Sequence, residues 1–244
     1  KKVAFVKGNN LYVKDFNSNE ITQITFDGEK NKIINGITDW VYEEEFSFVR
    51  AFEWNKASNK IAFIRFDETN VPEFSMDVFG SDLYQTQQVF KYPKAGEANS
   101  KVSLHLYDLR SKKLQELKVD KAYKDFYIPR IEWTKEANVL SVQYMDRHQN
   151  ELDLWLINTK SRSSNLVLAE KDKAYIDVTF NLTFLKDNSF VWTSEKDGYN
   201  HVYHYAKNGT LINQVTSGNW EVTNYYGFNE KQNTIYSEIK YFIN

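Results

Sequence analysis

Short apolar runs, separated by turn residues, recur along the chain in sets of four. No long segment has the 3.6-residue period of an amphipathic helix, so the pattern predicts β-strands throughout. The clearest sets open with the runs 51–54, 130–133, 181–184 and 225–228. Sets of four strands that repeat about every 40–50 residues are typical of propeller blades, whereas a β-sandwich would not need the same order each time. The sequence therefore predicts an all-β fold, a β-propeller of four-stranded antiparallel blades.

The sets at the two ends of the sequence are incomplete. Residues 3–25 supply three strands and lack the first strand of a set, and residues 222–244 supply only two. We therefore expect about three full blades and two partial ones, in one partial propeller domain over residues 1–244. Because the sequence opens directly on a strand-like run, we expect it to be a piece of a longer protein. Closure of the two partial sets into one blade, giving a four-bladed ring, is the alternative.

One set is interrupted by an insertion, residues 67–101, between its second and third strands. A loop of this length in a compact domain is usually either functional or disordered. Its aromatic residues argue against disorder: Phe74, Phe79, Tyr84, Phe90 and Tyr92. One interpretation of the insertion is a long hairpin that folds back on its own blade.

Residues 35–48 combine capping, aromatic and acidic residues in one short segment. Thr38 and Asp39 are favourable at the first turn of a helix, so we expect a short helical turn or loop to begin there. Three aromatic residues can anchor the segment to a core: Trp40, Tyr42 and Phe46. Three adjacent carboxylates are left to find partners: Glu43, Glu44 and Glu45.

Three carboxylates in a row repel one another and cost stability unless a cation lies among them. Most short acidic runs are simply a solvated face, and that interpretation stays open at this point. Proteins also accept such a cost at functional sites.

The composition excludes several classes of function. The 244 residues include 31 basic and 33 acidic ones, a balance that disfavours electrostatic binding to nucleic acid. No apolar run has the length of a membrane span. Cysteine is absent, and His201 and His204 lie three residues apart on a predicted strand, so they point to opposite faces. We therefore predict no metal site, no cofactor and no nucleic-acid partner.

The run 39–45, Asp-Trp-Val-Tyr-Glu-Glu-Glu, resembles the acidic signature of the dipeptidyl peptidase IV family. The run Tyr-Pro-Lys-Ala-Gly at 92–96 resembles the same family, with weaker support from 146–150 and 197–201. The resemblance implies an eight-bladed propeller from a bacterial, exported serine exopeptidase that releases X-Pro or X-Ala dipeptides from peptide N-termini. It also implies that segment 67–101 is an arm that contacts the other subunit of a homodimer.

In that family the last two glutamates of the signature hold the free α-amino group of the peptide substrate. The resemblance gives this role to Glu44 and Glu45, with Glu43, Trp40 and Tyr42 in support. It further implies a C-terminal α/β-hydrolase domain that carries a Ser–Asp–His triad. The present sequence contains no Gly-x-Ser-x-Gly. We therefore assign no catalytic residue within it and expect the chain alone to be inactive.

Two other hypotheses about function remain open, because a propeller fold does not determine function. One is a non-enzymatic propeller that serves as a scaffold for protein interactions. The other is a relative that kept the fold and lost peptidase activity. A hydrolase domain downstream would argue against the scaffold. The nucleophilic serine in that domain would argue against the inactive relative.

Overall fold

Antiparallel β-sheet dominates the computed structural model, which describes residues 1–241, and strands make up 50% of it. The chain divides into two compact units, Lys1–Lys118 and Val119 onward. In each unit most strands pair with their neighbours in sequence. The all-β class predicted from the pattern of apolar runs is confirmed.

The first unit contains ten strands and one helix. Their bounds are β1 (Lys2–Lys7), β2 (Asn10–Asp15), β3 (Ile21–Gln23), β4 (Ile33–Asn35), α1 (Trp40–Phe46), β5 (Phe52–Trp54), β6 (Lys60–Asp67), β7 (Glu73–Val78), β8 (Thr86–Lys91), β9 (Lys101–Asp108) and β10 (Lys113–Leu117). Strands β1, β2 and β3 form one sheet, and β7 and β8 form a hairpin of their own. The other strands form a five-stranded sheet in the order β10-β9-β6-β4, with β5 also paired to β6.

The short strands β4 and β5 pair with opposite ends of β6, so their connection is held at both ends. Ile34 lies opposite Phe66, and Phe52 lies opposite Phe63. The connection between β4 and β5 carries helix α1. The sheet thus fixes both ends of the acidic segment.

The insertion 67–101 leaves and rejoins its sheet at one point. Strands β6 and β9 pair along their whole length, and their last pair joins Asp67 to Lys101. Between these two residues the chain forms the β7–β8 hairpin, in which Glu73 lies opposite Lys91. The base of the insertion is therefore closed by backbone pairing.

The second unit contains eleven strands among the residues that the structure describes. Their bounds are β11 (Phe126–Tyr127), β12 (Ile131–Trp133), β13 (Val139–Asp146), β14 (Glu151–Asn158), β15 (Ser164–Lys171), β16 (Thr183–Phe184), β17 (Phe190–Ser194), β18 (His201–Tyr205), β19 (Leu211–Gln214), β20 (Trp220–Asn229) and β21 (Thr234–Tyr241). The first sheet has the order β11-β13-β14-β15, with β12 also paired to β13. The second has the order β16-β17-β18-β19, and β20 pairs with β21.

The inner strands of each sheet carry the core. Seven of the eight residues of β13 are buried, because this strand packs on both faces, whereas β15 has a single buried residue, Val167, and β19 is exposed. In the first unit the core cluster joins the three-stranded and five-stranded sheets: Ala4, Leu11, Val13, Ile24, Phe52, Ile61, Phe63 and Tyr107. Each large apolar side chain buried in this way contributes about 1.5–3 kcal/mol.

The turn after β18 has one position that only glycine can occupy. Gly209 has φ of +87°, and a Cβ atom there would lie 1.8 Å from the carbonyl oxygen of Val167 in β15. A side chain would force the two backbones apart. The turn signal Lys-Asn-Gly therefore also sets how closely the two sheets of the second unit approach.

The strand order predicted for each set is observed, with local differences. Strands β4 and β11 were not predicted, and β20 begins at Trp220, two residues before the predicted stretch 222–244. The number of blades in the complete propeller stays a prediction.

Candidate functional site

Helix α1 begins where the capping residues predict. Asp39 is the N-cap, with extended backbone, and its Oδ1 accepts a hydrogen bond of 3.1 Å from the backbone N–H of Tyr42. The helix ends at Ser47, which takes the left-handed conformation with φ of 54°. A helix of seven residues is too short to persist without tertiary contacts. Its position is therefore set by what surrounds it.

Backbone hydrogen bonds join the segments on either side of the helix. The N–H of Thr38 donates to the carbonyl of Val49 at 3.0 Å, and that of Ala51 donates to Gly36 at 3.0 Å. The Thr38 hydroxyl adds a bond of 3.1 Å to the carbonyl of Phe48. These bonds close residues 36–51 into a loop that carries α1, and they hold the two ends of the loop together.

Two aromatic residues fasten the helix to its sheet. Tyr42 and Phe46 are each 2% exposed. The Tyr42 ring makes edge contacts with Phe46 at 5.1 Å, Phe48 at 5.9 Å and Phe66 of β6 at 4.8 Å between centroids. Such pairs add about 0.5–1.5 kcal/mol each beyond the area that they bury. The prediction that these two residues anchor the segment is confirmed.

The prediction that Trp40 is also a core anchor is wrong. Trp40 is 36% exposed, and its ring packs on Tyr92, with 4.3 Å between centroids. It is the first residue of the helix, on the side away from the buried face, so it contacts the insertion instead of the core. Spacing along the sequence could not show whether Trp40 packs on the core or on the insertion.

The three glutamates lie on the exposed side of α1. Glu43, Glu44 and Glu45 are all exposed, and within residues 1–241 neither Glu43 nor Glu44 takes part in an ion pair. Successive helical residues are separated by about 100°, so Glu44 points away from the buried Tyr42 and Phe46, and the side chains of Glu43 and Glu45 leave the helix about 100° to either side of it. Two adjacent carboxylates can thus bracket one cationic group, and the third points away. The helix geometry alone fits either pair that includes Glu44.

A buried polar cluster lies beneath the N-terminus of α1. The second oxygen of the cap, Oδ2 of Asp39, accepts a hydrogen bond of 2.5 Å from the hydroxyl of Ser100. Burial raises the pKa of Asp39, and the bonds from Ser100 and Tyr42 oppose that effect. Neither Asp39 nor Ser100 is solvent-exposed, although 61 residues separate them.

Glu68 is the second carboxyl of this cluster. It is 6% exposed. Burial first, and then the charge of Asp39, raises its pKa to about 7, while Lys91 acts in the opposite direction. Sequence reasoning missed Glu68 and Ser100, because each stands in an ordinary polar context and only the fold brings them beneath the helix.

The ring nitrogens of His201 and His204 contact other groups of the protein. His201 is fully buried between Thr216 and the carbonyl of Gly218, both 3.0 Å from its ring nitrogens. His204 contacts the hydroxyl of Ser189 at 2.9 Å. Across residues 1–241, no group of three or more acidic or histidine side chains is arranged to hold a metal ion.

Comparison with known proteins identifies the family of the chain. The sequence profile described as "Dipeptidyl peptidase IV (DPP IV) N-terminal region" matches residues 1–238. The chain belongs to this family. The resemblance based on the acidic signature is therefore confirmed, as is the β-propeller class of the dipeptidyl peptidase IV N-terminal region.

Individual relatives agree with this assignment. The crystal structure of Porphyromonas gingivalis dipeptidyl peptidase 4 matches with a TM-score of 0.91 and 39% identity, over 96% of this chain and 33% of that one. A Talaromyces marneffei protein named "Probable dipeptidyl-aminopeptidase B" is 32% identical over 247 residues, covering 90% of this chain and 27% of its own length. A protein of the same name from Pyrenophora tritici-repentis is 30% identical over 250 residues. The chain thus spans about a third or less of these dipeptidyl peptidase IV relatives.

Within the described part of this dipeptidyl peptidase IV N-terminal region, no helix has the length and apolar character needed to cross a membrane.

Proposed function

We propose that the chain is the part of a dipeptidyl peptidase that binds the N-terminus of the peptide substrate, through Glu44 and Glu45 of helix α1. The observation that carries the proposal is the geometry of this helix. Two adjacent carboxylates are exposed on a short helix whose cap and aromatic anchors are buried. The match to the dipeptidyl peptidase IV N-terminal region supports the same role.

The proposed chemistry follows from the charges. A peptide α-ammonium group has three N–H donors, and two carboxylates accept them as charge-assisted hydrogen bonds of about 2.7–2.9 Å. Two carboxylates at a fixed position, an amine clamp, set the distance between the substrate's amine and the nucleophile, so only the second peptide bond of the substrate reaches the nucleophile. Binding energy from the amine is thereby used to position the reacting carbonyl. We propose that the cutting itself, after X-Pro or X-Ala, is carried out by a hydrolase domain outside this sequence.

Substitution of the clamp residues tests this proposal. In the full-length protein, Glu44→Gln and Glu45→Gln should each lower kcat/KM for a Gly-Pro chromogenic substrate at least about tenfold, or roughly 1.4 kcal/mol. Each change removes a charge while keeping the side-chain volume. Glu43→Gln removes the same charge from the same helix and tells the two possible pairs apart: because Glu43 has only a supporting role in the proposal, we expect it to lower kcat/KM less than about threefold. Wild-type kcat/KM in both clamp variants would refute the proposal.

We further propose that the hairpin in the insertion contacts a second copy of the chain. Its apolar side chains are exposed in one stretch: Phe74, Met76, Val78, Phe79, Leu83 and Tyr84. Exposed apolar patches of this kind mark interaction sites. Contact with a second copy of the chain would cover these side chains.

Sedimentation of the full-length protein tests the proposed dimer. Phe79→Ser combined with Leu83→Ser should convert a dimer to a monomer, because it removes two of the most exposed apolar side chains of the hairpin. Phe26→Ser is the matched control, since Phe26 is 77% exposed against 80% for Phe79 and lies outside the insertion. A dimer that survives the double substitution would contradict this assignment.

A further inference from the structure

The insertion 67–101 contacts helix α1 at its N-terminus. The ring of Tyr92 packs on Trp40, with 4.3 Å between centroids. The hydroxyl of Ser100 donates to Oδ2 of Asp39 at 2.5 Å. Tyr92 follows β8 and Ser100 precedes β9, so both contacts come from the irregular segment that returns from the hairpin to the five-stranded sheet.

We propose that Ser100 and Tyr92 are positioning residues for the amine clamp, which hold helix α1 in the orientation that points Glu44 and Glu45 at one ammonium group. This inference rests on the proposed function of the two glutamates. It adds that the base of the insertion, and not only the core beneath the helix, sets their geometry.

The two oxygens of Asp39 explain why Ser100 matters for orientation. Oδ1 caps the helix through the N–H of Tyr42, and Oδ2 is held by Ser100. With both oxygens hydrogen-bonded, the Asp39 side chain links the first turn of α1 to the segment that returns from the hairpin. Without the hydroxyl, a buried carboxylate oxygen loses its partner, and the cap becomes free to turn.

The base of the insertion is itself braced by a cation. Lys91 is almost fully buried, with a side chain 10% exposed, and its Nζ donates to the carbonyls of Val71 at 2.9 Å and Thr69 at 3.3 Å. It also pairs with Glu73 at 3.6 Å. These contacts hold the two sides of the hairpin base together, directly before Tyr92.

The full-length protein can test this inference through its recognition of an amine. The readout is the ratio of inhibition constants for a dipeptide with a free amine and for its desamino analogue. We expect Ser100→Ala and Tyr92→Ala each to lower this preference for the amine about fivefold or more. Ser100→Thr, which keeps the hydroxyl, and Tyr92→Phe, which keeps the ring, should restore most of it.

The clamp variants separate this inference from the proposed function. If Glu44→Gln and Glu45→Gln lose the preference for the amine while Ser100→Ala and Tyr92→Ala keep it, the inference is overturned and the proposed function stands. If the clamp variants keep the preference, both are overturned. A purely structural role for Ser100 and Tyr92 would lower the unfolding temperature with the ratio unchanged, which also overturns the inference. Should Ser100→Ala fail to fold, the pair Tyr92→Ala and Tyr92→Phe decides.

Discussion

Replacement of Tyr42 by alanine is expected to release helix α1 from its sheet, at a cost of about 3–5 kcal/mol in local stability. The Tyr42 side chain is almost fully buried and contacts three other aromatic rings, one of them in β6. Alanine leaves a cavity among those rings. Because α1 has seven residues, it has little stability of its own to offset that loss.

Hydrogen exchange of the backbone amides of residues 40–46 measures this effect directly. A loss of 3 kcal/mol or so should speed their exchange by about 100-fold, since each 1.4 kcal/mol is a factor of ten. Tyr42→Phe is the control, because it keeps the ring contacts and removes only the hydroxyl, at a cost of roughly 1 kcal/mol or less. Unchanged protection in Tyr42→Ala would show that the ring does not hold the helix.

Replacement of Glu68 by glutamine is expected to remove a pH-dependent loss of stability. The pKa of Glu68 rises from 4.5 to about 7 on folding, so the folded state binds its proton more tightly than the unfolded state. The contribution of this group is fully present below pH 4.5 and is lost as the pH rises through 7. That shift corresponds to about 3 kcal/mol. Burial is the main cause of the raised pKa, and the charge of Asp39 adds to it, while the cation of Lys91 and the backbone at Asn31 act in the opposite direction.

Unfolding by urea at pH 5 and pH 8 tests this expectation. The wild-type protein should lose about 2.5 kcal/mol more than Glu68→Gln between these two pH values, since glutamine stays neutral. At pH 8 the variant should be the more stable protein. Glu73→Gln is the control, because Glu73 pairs with the same Lys91 from an exposed position. Equal pH dependence in wild type and Glu68→Gln would show that Glu68 ionises normally in the folded state.

Local features of the fold could be read from the sequence because they depend on neighbouring residues. The apolar runs of β13 and β14 mark inner strands, and the capping preference of Asp39 marks the start of α1. Burial of Tyr42 and Phe46 follows from their spacing of four on one helical face. Each of these depends on periodicity or on propensity within a few residues.

Features that depend on distant pairing could not be predicted. The bond between Asp39 and Ser100 joins residues 61 positions apart, and nothing in either local context indicates the other. The packing of Trp40 on Tyr92 likewise requires that the insertion return beside the helix. For the same reason β4 was not recognised, since its three residues become a strand only by pairing with the far end of β6.

The roles of Glu44 and Glu45 rest on their family signature and on the exposed, braced helix that carries them. A crystal structure of the full-length protein with a bound dipeptide tests this claim most directly. We expect the amine nitrogen to lie about 2.7–2.9 Å from a carboxylate oxygen of each of these two residues. An amine bound elsewhere, with both carboxylates more than about 4 Å away and facing solvent, would contradict the account.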